Sequence, residues 1–289
     1  MTTPAGFARH PSYVKEGNSK ARFELSNRSY AHLRLSAVAL LFAVACAAHA
    51  AEAQKPSPLK SGLDFAGADV RALQADDFAN PGMLWVARGE KLWREPAGKA
   101  AKSCAGCHGE APAGMKGVAA RYPRVDPGAA RLVNLEGRIN LCRERHQGAA
   151  PLQYESDELL GLTALVAHQS RGAPVAAALD PQNRASFERG RDFYHLRQGQ
   201  MNLSCAHCHD RNSGGKLAAE TVSQGHGNAY PIYRLEWQAA GSLHRRFRSC
   251  LFGIRAESLA PGSPEFVDLE LYLAWRASGL PIETPGVRR

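Results

Sequence analysis

Two five-residue stretches decide how this chain is read: "CAGCH" at 104–108 and "CAHCH" at 205–209. Both are Cys-x-x-Cys-His, the spacing used for covalent haem attachment. Two thiols two residues apart add to the two vinyl groups of one haem, and the adjacent histidine faces the iron as proximal ligand. The plain alternative is a redox dithiol with a chance histidine, and two copies in one chain argue against it. Two covalently bound haem c groups are therefore expected. Cys104 and Cys107 attach one, with His108 on iron; Cys205 and Cys208 attach the other, with His209.

The sequence around the motifs repeats. Upstream, Arg88-Gly89 corresponds to Arg189-Gly190, and Trp93 to Tyr194, at the 101-residue offset of the motifs themselves. "MLWVARGEKLW" spaces Trp85, Gly89, Leu92 and Trp93 as one helical face, and "RASFERGRDFY" repeats it with Ser186, Gly190, Phe193 and Tyr194. A glycine on the inner face predicts a close helix crossing. Downstream the offset is 108: Tyr122-Pro123 matches Tyr230-Pro231, Arg138 matches Arg246, and Cys142 matches Cys250. Beyond the cysteines it is 107, where 156–174 and 263–281 are each a serine-started apolar helix ended by glycine and proline. The expected fold is mainly α, two tandem cytochrome c-like domains related by internal duplication. Its parts are a presequence (1–53), an N-terminal extension (54–80), a first domain (81–172), an Ala/Pro-rich linker (173–184) and a second domain (185–289).

Methionine usually stands opposite the histidine in electron-transfer cytochromes c. Here Met83 and Met201 precede their motifs, Met115 follows His108 too closely, and none follows the second motif. His146, His168 and Cys142 remain for the first iron, and His226, His244 and Cys250 for the second. Only the cysteines match in both halves, so His/thiolate coordination is expected at both. A Cys142–Cys250 disulfide and a pair of inert buried thiols are the competing readings.

The two cysteine neighbourhoods differ in charge. Residues 135–149 hold three arginines and two glutamates; residues 243–257 hold four arginines and one glutamate, with Gly137, Asn140 and Gln147 matched by Arg245, Arg248 and Arg255. Positive charge lowers a thiol pKa from ~8.5 into the range ~3.5–7.5, and arginine offers planar forks to an oxyanion. The second half reads as a thiolate beside an anion pocket, the first as an electron relay.

At the N-terminus Arg22, Arg28 and Arg34 lead into an apolar run, Leu35 to Ala45, followed by small residues. That is a secretory signal with cleavage near Ala50 or Ala53, too short for a membrane span of about 20 apolar residues. The location expected is the periplasm, with no stable membrane anchor. The formal charge of the whole chain is +9. Such a balance suits acidic partners or oxyanion substrates. With no basic–aromatic motif in an exported chain, nucleic acid is not expected.

"SGLDFAGADVRALQADDFANPGMLWVARGEKLW", the two haem motifs, "YPIYRLEWQ" and "RRFRSCLFGIRAE" together resemble the SoxA family, a subunit of the SoxAX cytochrome of bacterial sulfur oxidation. The resemblance spans essentially residues 54–289. It implies His108/Cys142 and His209/Cys250 ligation, a periplasmic heterodimer with the monohaem SoxX, and Cys250 as active-site cysteine, persulfidated in the family. It also implies that Arg246 contacts the substrate. The implied reaction joins thiosulfate to a cysteine of the SoxYZ carrier and passes two electrons to cytochrome c. An iron-bound thiolate is a blunted nucleophile, so either the Cys250–iron bond is labile or an added sulfane sulfur attacks. A dihaem thiosulfate dehydrogenase forming tetrathionate and a plain electron-transfer dihaem cytochrome are the competing functions.

Overall fold

Small polar residues ahead of apolar runs set the helix starts of this chain. Ser156 Oγ accepts from Leu159 N (3.3 Å) and Ser263 Oγ from Phe266 N (3.4 Å). Asn134 Oδ1 and Ser242 Oγ do the same for the helices that carry the lone cysteines, at 2.9 and 3.2 Å. Each satisfies an N–H that the first helical turn leaves orphaned. The computed structural model describes residues 55–56 and 58–289, and the expected presequence lies outside the described residues.

The chain runs through α1 (Met83–Arg94), α2 (Cys104–His108), a hairpin of β1 (Arg124–Asp126) and β2 (Arg131–Val133), α3 (Leu135–Cys142) and α4 (Asp157–His168). The order then recurs: α5 (Arg184–His195), α6 (Cys205–His209), a hairpin of β3 (Ile232–Arg234) and β4 (Ala239–Gly241), α7 (Leu243–Gly253) and α8 (Pro264–Arg276). Helices dominate, as expected.

The expected close crossings are present. α1 lies on α4 and α5 on α8. A Cβ on Gly89 would stand 2.2 Å from Gly161 O, and one on Gly190 would stand 2.0 Å from Asp268 O. The buried face differs by one step from the expected one. Val86, Gly89 and Trp93 are buried in α1, and Phe187, Gly190 and Tyr194 in α5, while Trp85, Leu92, Ser186 and Phe193 are only partly covered. The steep crossing centres on the glycine, so the residues three before and four after it point inward. Around these pairs two apolar clusters form, one with Leu162 and Leu165 of α4, the other with Phe266, Leu269 and Tyr272 of α8.

Two further features were not foreseen. A last strand, β5 (Gly286–Arg288), pairs in parallel with β3, making a three-stranded sheet ordered β4-β3-β5. The extension before α1 also closes onto the second half: Gln224 Nε2 donates to Pro58 O (2.8 Å), and Val287 N donates to Gln74 Oε1 (2.9 Å). The linker is irregular but not loose, because Val175 and Ala177 are buried and Val175 N donates to Leu280 O.

The halves meet across a polar seam. Tyr154 stacks flat on His244 at 5.9 Å, Asn134 Nδ2 donates to Glu270 Oε2 (3.1 Å), and Ser242 Oγ donates to Glu155. Glu136 and Glu270 line a cavity there, together with Tyr122 and Tyr230. Among the described residues no helix is long and apolar enough to cross a membrane.

Candidate haem and thiolate sites

All six described cysteines are unpaired thiols, so no Cys142–Cys250 disulfide joins the halves. In the second half α6 and α7 bring the motif and the lone cysteine together. Burial pushes the Cys205 thiol up to about 12, and the nearby Cys250 charge adds to it. Cys208 is raised for the same two reasons. His209 Nδ1 lies 2.8 Å from Ser223 O. That contact fixes the tautomer and leaves Nε2 for a metal, the usual arrangement of a ligating imidazole. The ring rests on Gly225, where a Cβ would come within 2.8 Å of His209 Cγ and where φ is +76°.

Cys250 is the thiol with a lowered pKa. Burial works to raise it, but the side-chain contact with His209 and the positive charges of Arg246 and Arg234 outweigh that. Arg246 sits one turn before Cys250 on α7, beside half-buried Tyr230. Among the described residues its guanidinium forms no ion pair and no side-chain hydrogen bond.

The first half repeats the plan with different electrostatics. Burial raises the Cys104 thiol, Arg143 opposes this, and the Cys142 charge adds to it, so Cys104 and Cys142 are neighbours. The His108 ring tilts against Trp93 at 5.8 Å. Arg138 sits one turn before Cys142 beside Tyr122, as Arg246 does beside Tyr230. Arg138 Nη1, however, donates to Asp126 Oδ2, and Arg145 Nη1 donates to Asp126 Oδ1 (2.9 Å). The Asp126 side chain is only 2 % exposed, so this guanidinium is already neutralised.

Three of the four competing histidines have hydrogen-bond partners of their own. Both His244 nitrogens are used, Nδ1 accepting from Gly262 N (2.9 Å) and Nε2 lying 3.1 Å from Glu270 Oε2. His168 Nδ1 lies 3.4 Å from Thr284 O, His226 Nε2 lies 3.2 Å from Gln224 Oε1, and His146 is exposed. Of the methionines, Met115 is buried in the first cluster and Met201 is exposed.

The other arginines of α7 and of the turn after it have separate partners. Arg245 lies over the Trp237 ring at 4.3 Å. Arg248 and Arg255 are exposed; Nε of the first donates to Ser258 Oγ (3.3 Å), and Nη1 of the second donates to Gln200 Oε1 (3.4 Å). Arg255, at φ +56°, also occupies the place of Gly148 (φ +61°) and not that of Gln147. The backbone contacts Gly98–Gln147/Gly148 and Gly199–Ile254/Arg255 show the equivalence. A single π turn, Arg143–Gln147, absorbs the one-residue difference just after Cys142.

The donor sets fit haem c: two free thiols at the required spacing, an imidazole carried by the same short helix, and a further thiol brought in from the next long helix. In the second half the Gly225 cradle and the Ser223 carbonyl orient the imidazole. Arg234, on β3, is the residue near Cys250 that sequence reading missed.

Comparison with known proteins gives a consistent result. Residues 88–175 match the family model "SoxA/TsdA, cytochrome c domain", and a cytochrome c domain carries covalently bound haem c. The "L-cysteine S-thiosulfotransferase subunit SoxA" of Pseudaminobacter salicylatoxidans is 42 % identical over 83 % of this chain and 85 % of its own. The protein of the same name from Rhodovulum sulfidophilum is 41 % identical over 80 % of each. The crystal structure of SoxXA from P. pantotrophus superposes with a TM-score of 0.77 at 36 % identity, covering 80 % of this chain and 87 % of that one.

Proposed function

This chain belongs to the SoxA family, and on that premise we propose how its residues divide the work. It is an L-cysteine S-thiosulfotransferase subunit that joins thiosulfate to a cysteine thiol of a carrier protein, SoxYZ in the family's terms. The outer sulfur of thiosulfate bonds to the carrier sulfur, giving a cysteine S-thiosulfonate, one proton and two electrons. Cys104, Cys107, His108 and Cys142 would hold one haem c and Cys205, Cys208, His209 and Cys250 a second, and groups bound there would supply one-electron acceptors. The halves are copies of one duplicated unit; the recurring element order, glycine crossings and capped helices support this. A SoxX-like monohaem subunit completes the heterodimer, and the location is the periplasm.

Within the second half, Cys250 handles sulfur and Arg246 binds the substrate anion. The observation that carries this reading is the state of the two matched arginines. Arg138 is neutralised by a buried carboxylate, whereas Arg246 stands beside a thiol of lowered pKa with its donors uncommitted. A guanidinium with free N–H groups is suited to a dianion. Cys250 would carry the sulfur in a covalent adduct, splitting one oxidative coupling into two easier steps.

Replacing Cys250 by serine tests the assignment. Thiosulfate- and carrier-dependent reduction of cytochrome c should vanish while mass spectrometry still finds both haems attached. Retained turnover refutes it. Product analysis separates the competing enzyme: tetrathionate formed without any carrier would mark a thiosulfate dehydrogenase.

A further inference from the structure

Asp126 and Arg234 occupy the same place in the two halves. Asp126 ends β1 and pairs across its hairpin with Arg131; Arg234 ends β3 and pairs with Ala239 at the same rung. Each lies 12 residues before the arginine, Arg138 or Arg246, that sits one turn ahead of the cysteine. In the first half the side chain at this rung reaches that arginine and binds it through a carboxylate. In the second half the same rung delivers a guanidinium.

The surroundings of Arg234 leave that guanidinium partly unsatisfied. Its side chain is 7 % exposed, and its one ion pair, Nη2 to Glu236 Oε2 at 3.0 Å, is with a carboxylate that is itself 67 % exposed. The Arg234 head lies over the Trp237 ring at 5.2 Å, with Arg245 over the same ring at 4.3 Å. Arg234 Nε is buried and has no partner among the described residues. Buried N–H groups of a cation rarely stay unpaired. Arg234 on β3 and Arg246 on α7 both lie near enough to Cys250 for their charges to act on it.

We propose that Arg234 is a second anion-binding residue of the Cys250 pocket, forming with Arg246 a two-guanidinium clamp for the sulfonate end of thiosulfate, and that Asp126 removes the same clamp from the first half. A sulfonate presents three oxygens around one sulfur, so two forks approaching from different elements engage separate oxygens. The outer sulfur is then left to face Cys250. The proposal rests on the reading that thiosulfate binds beside Cys250.

The test uses the haem-loaded complex and three variants. Arg234→Met removes the charge at similar size, Arg234→Asp installs the first-half residue, and Arg234→Lys keeps the charge without the fork. Loss of one charge-assisted contact is expected to raise KM for thiosulfate about tenfold or more, with kcat changed less than about threefold, as for an interaction made equally in ground and transition states. Arg234→Asp should be worse than Arg234→Met, because the new carboxylate captures Arg246. Arg234→Lys should recover part of the loss. Haem content and absorption spectra should match the parent in all three.

An unchanged KM in Arg234→Met overturns the proposal. So does an unchanged KM with a shifted reduction potential of one haem, which would assign the guanidinium to a haem propionate. If Arg234→Met does not fold, an Arg234→Lys variant with the parent's KM overturns the clamp in its place. Should the unaltered complex not conjugate thiosulfate at all, the broader reading fails instead. Calorimetric titration with sulfite as probe anion then still decides Arg234: binding weakened about tenfold in Arg234→Met supports the clamp, and equal binding overturns it.

Discussion

Replacing Gly190 by alanine tests the framework that holds the second site. A Cβ there would lie 2.0 Å from Asp268 O and 2.5 Å from Asp268 C, both backbone atoms that no rotamer change can move. Ordinary contact needs about 3.5 Å, so α5 and α8 must part by roughly 1 Å or more. α8 carries Phe266, Leu269, Tyr272 and Leu273 of the cluster on which α7 and its cysteine rest. A gap of 0.5–1 Å forfeits about a quarter to a half of each pairwise attraction across it. Overpacking usually costs about 1–3 kcal/mol, and a backbone-on-backbone clash belongs at the upper end, about 3 kcal/mol. For a chain of this size each kcal/mol lowers Tm by about 2–4 °C, so the melting point should fall by about 6–12 °C. Gly253→Ala is the matched control. Nothing lies within 4 Å of a Cβ at that position, and alanine is favoured over glycine in a helix by roughly 0.5–1 kcal/mol, so its Tm should be equal or slightly higher. Thermal unfolding of the haem-loaded protein, followed by far-ultraviolet circular dichroism, measures both. A Gly190→Ala protein melting within 2 °C of the parent would refute the crossing argument.

Two further outcomes follow from buried carboxylates. Asp126→Asn removes the charge shared by Arg138 and Arg145 and should cost about 2 kcal/mol, because both guanidiniums are one-third exposed and partly screened. Burial works to raise the Asp126 carboxyl, but the bonds from Arg145, Ala129 N and Arg138 hold it below the usual range. Its contribution is therefore present at neutral pH and lost as pH falls below about 4, so urea melts of parent and variant should converge in acid. Glu136 is the opposite case. Burial and the neighbouring Glu270 charge push its carboxyl up to about 8, with His244 opposing them. The folded chain then holds a proton that the unfolded chain releases, and stability declines from about pH 4.5 up through about pH 8. Glu136→Gln should flatten that decline, matching the parent near pH 5 and exceeding it at pH 9 in urea melts; an unchanged slope counts against the assignment.

The proposed haem-attachment residues stand out in the sequence because covalent attachment demands a contiguous five-residue pattern, and no distant residue enters it. The lone cysteines could be read because Cys142 and Cys250 hold one offset while the histidines around them do not. The partners of the His168, His226 and His244 rings needed three dimensions, since they lie 2 to 116 residues away. The strands escaped notice because three residues show no periodicity, and β5 pairs with a strand more than 50 residues distant. Arg234 escaped for the same reason. Its charge reversal against Asp126 is visible at the 108-residue offset, but nothing in the sequence says that this rung points toward α7 and not toward solvent.

On the proposed assignment, that reversal bears on how the two halves could share ligands yet differ in chemistry. Electron acceptance depends on the iron's donors, and on the proposed assignment these are the same residue types at both sites. Anion capture depends on donors near the thiol that no internal carboxylate has claimed. At the first site the aspartate on the hairpin rung occupies both Arg138 and Arg145, so an incoming dianion would have to displace a buried ion pair. At the second site the corresponding rung contributes positive charge, and the carboxylate that touches it is largely in water. Attraction between a guanidinium and an anion is screened far less in the interior than at the surface. A single inward position on a short hairpin can thus make one thiolate pocket attract a small dianion and leave its counterpart unattractive to it, without changing a haem ligand. On the proposed assignment thiosulfate would then be drawn to one end of the electron path, with the first site left to conduct.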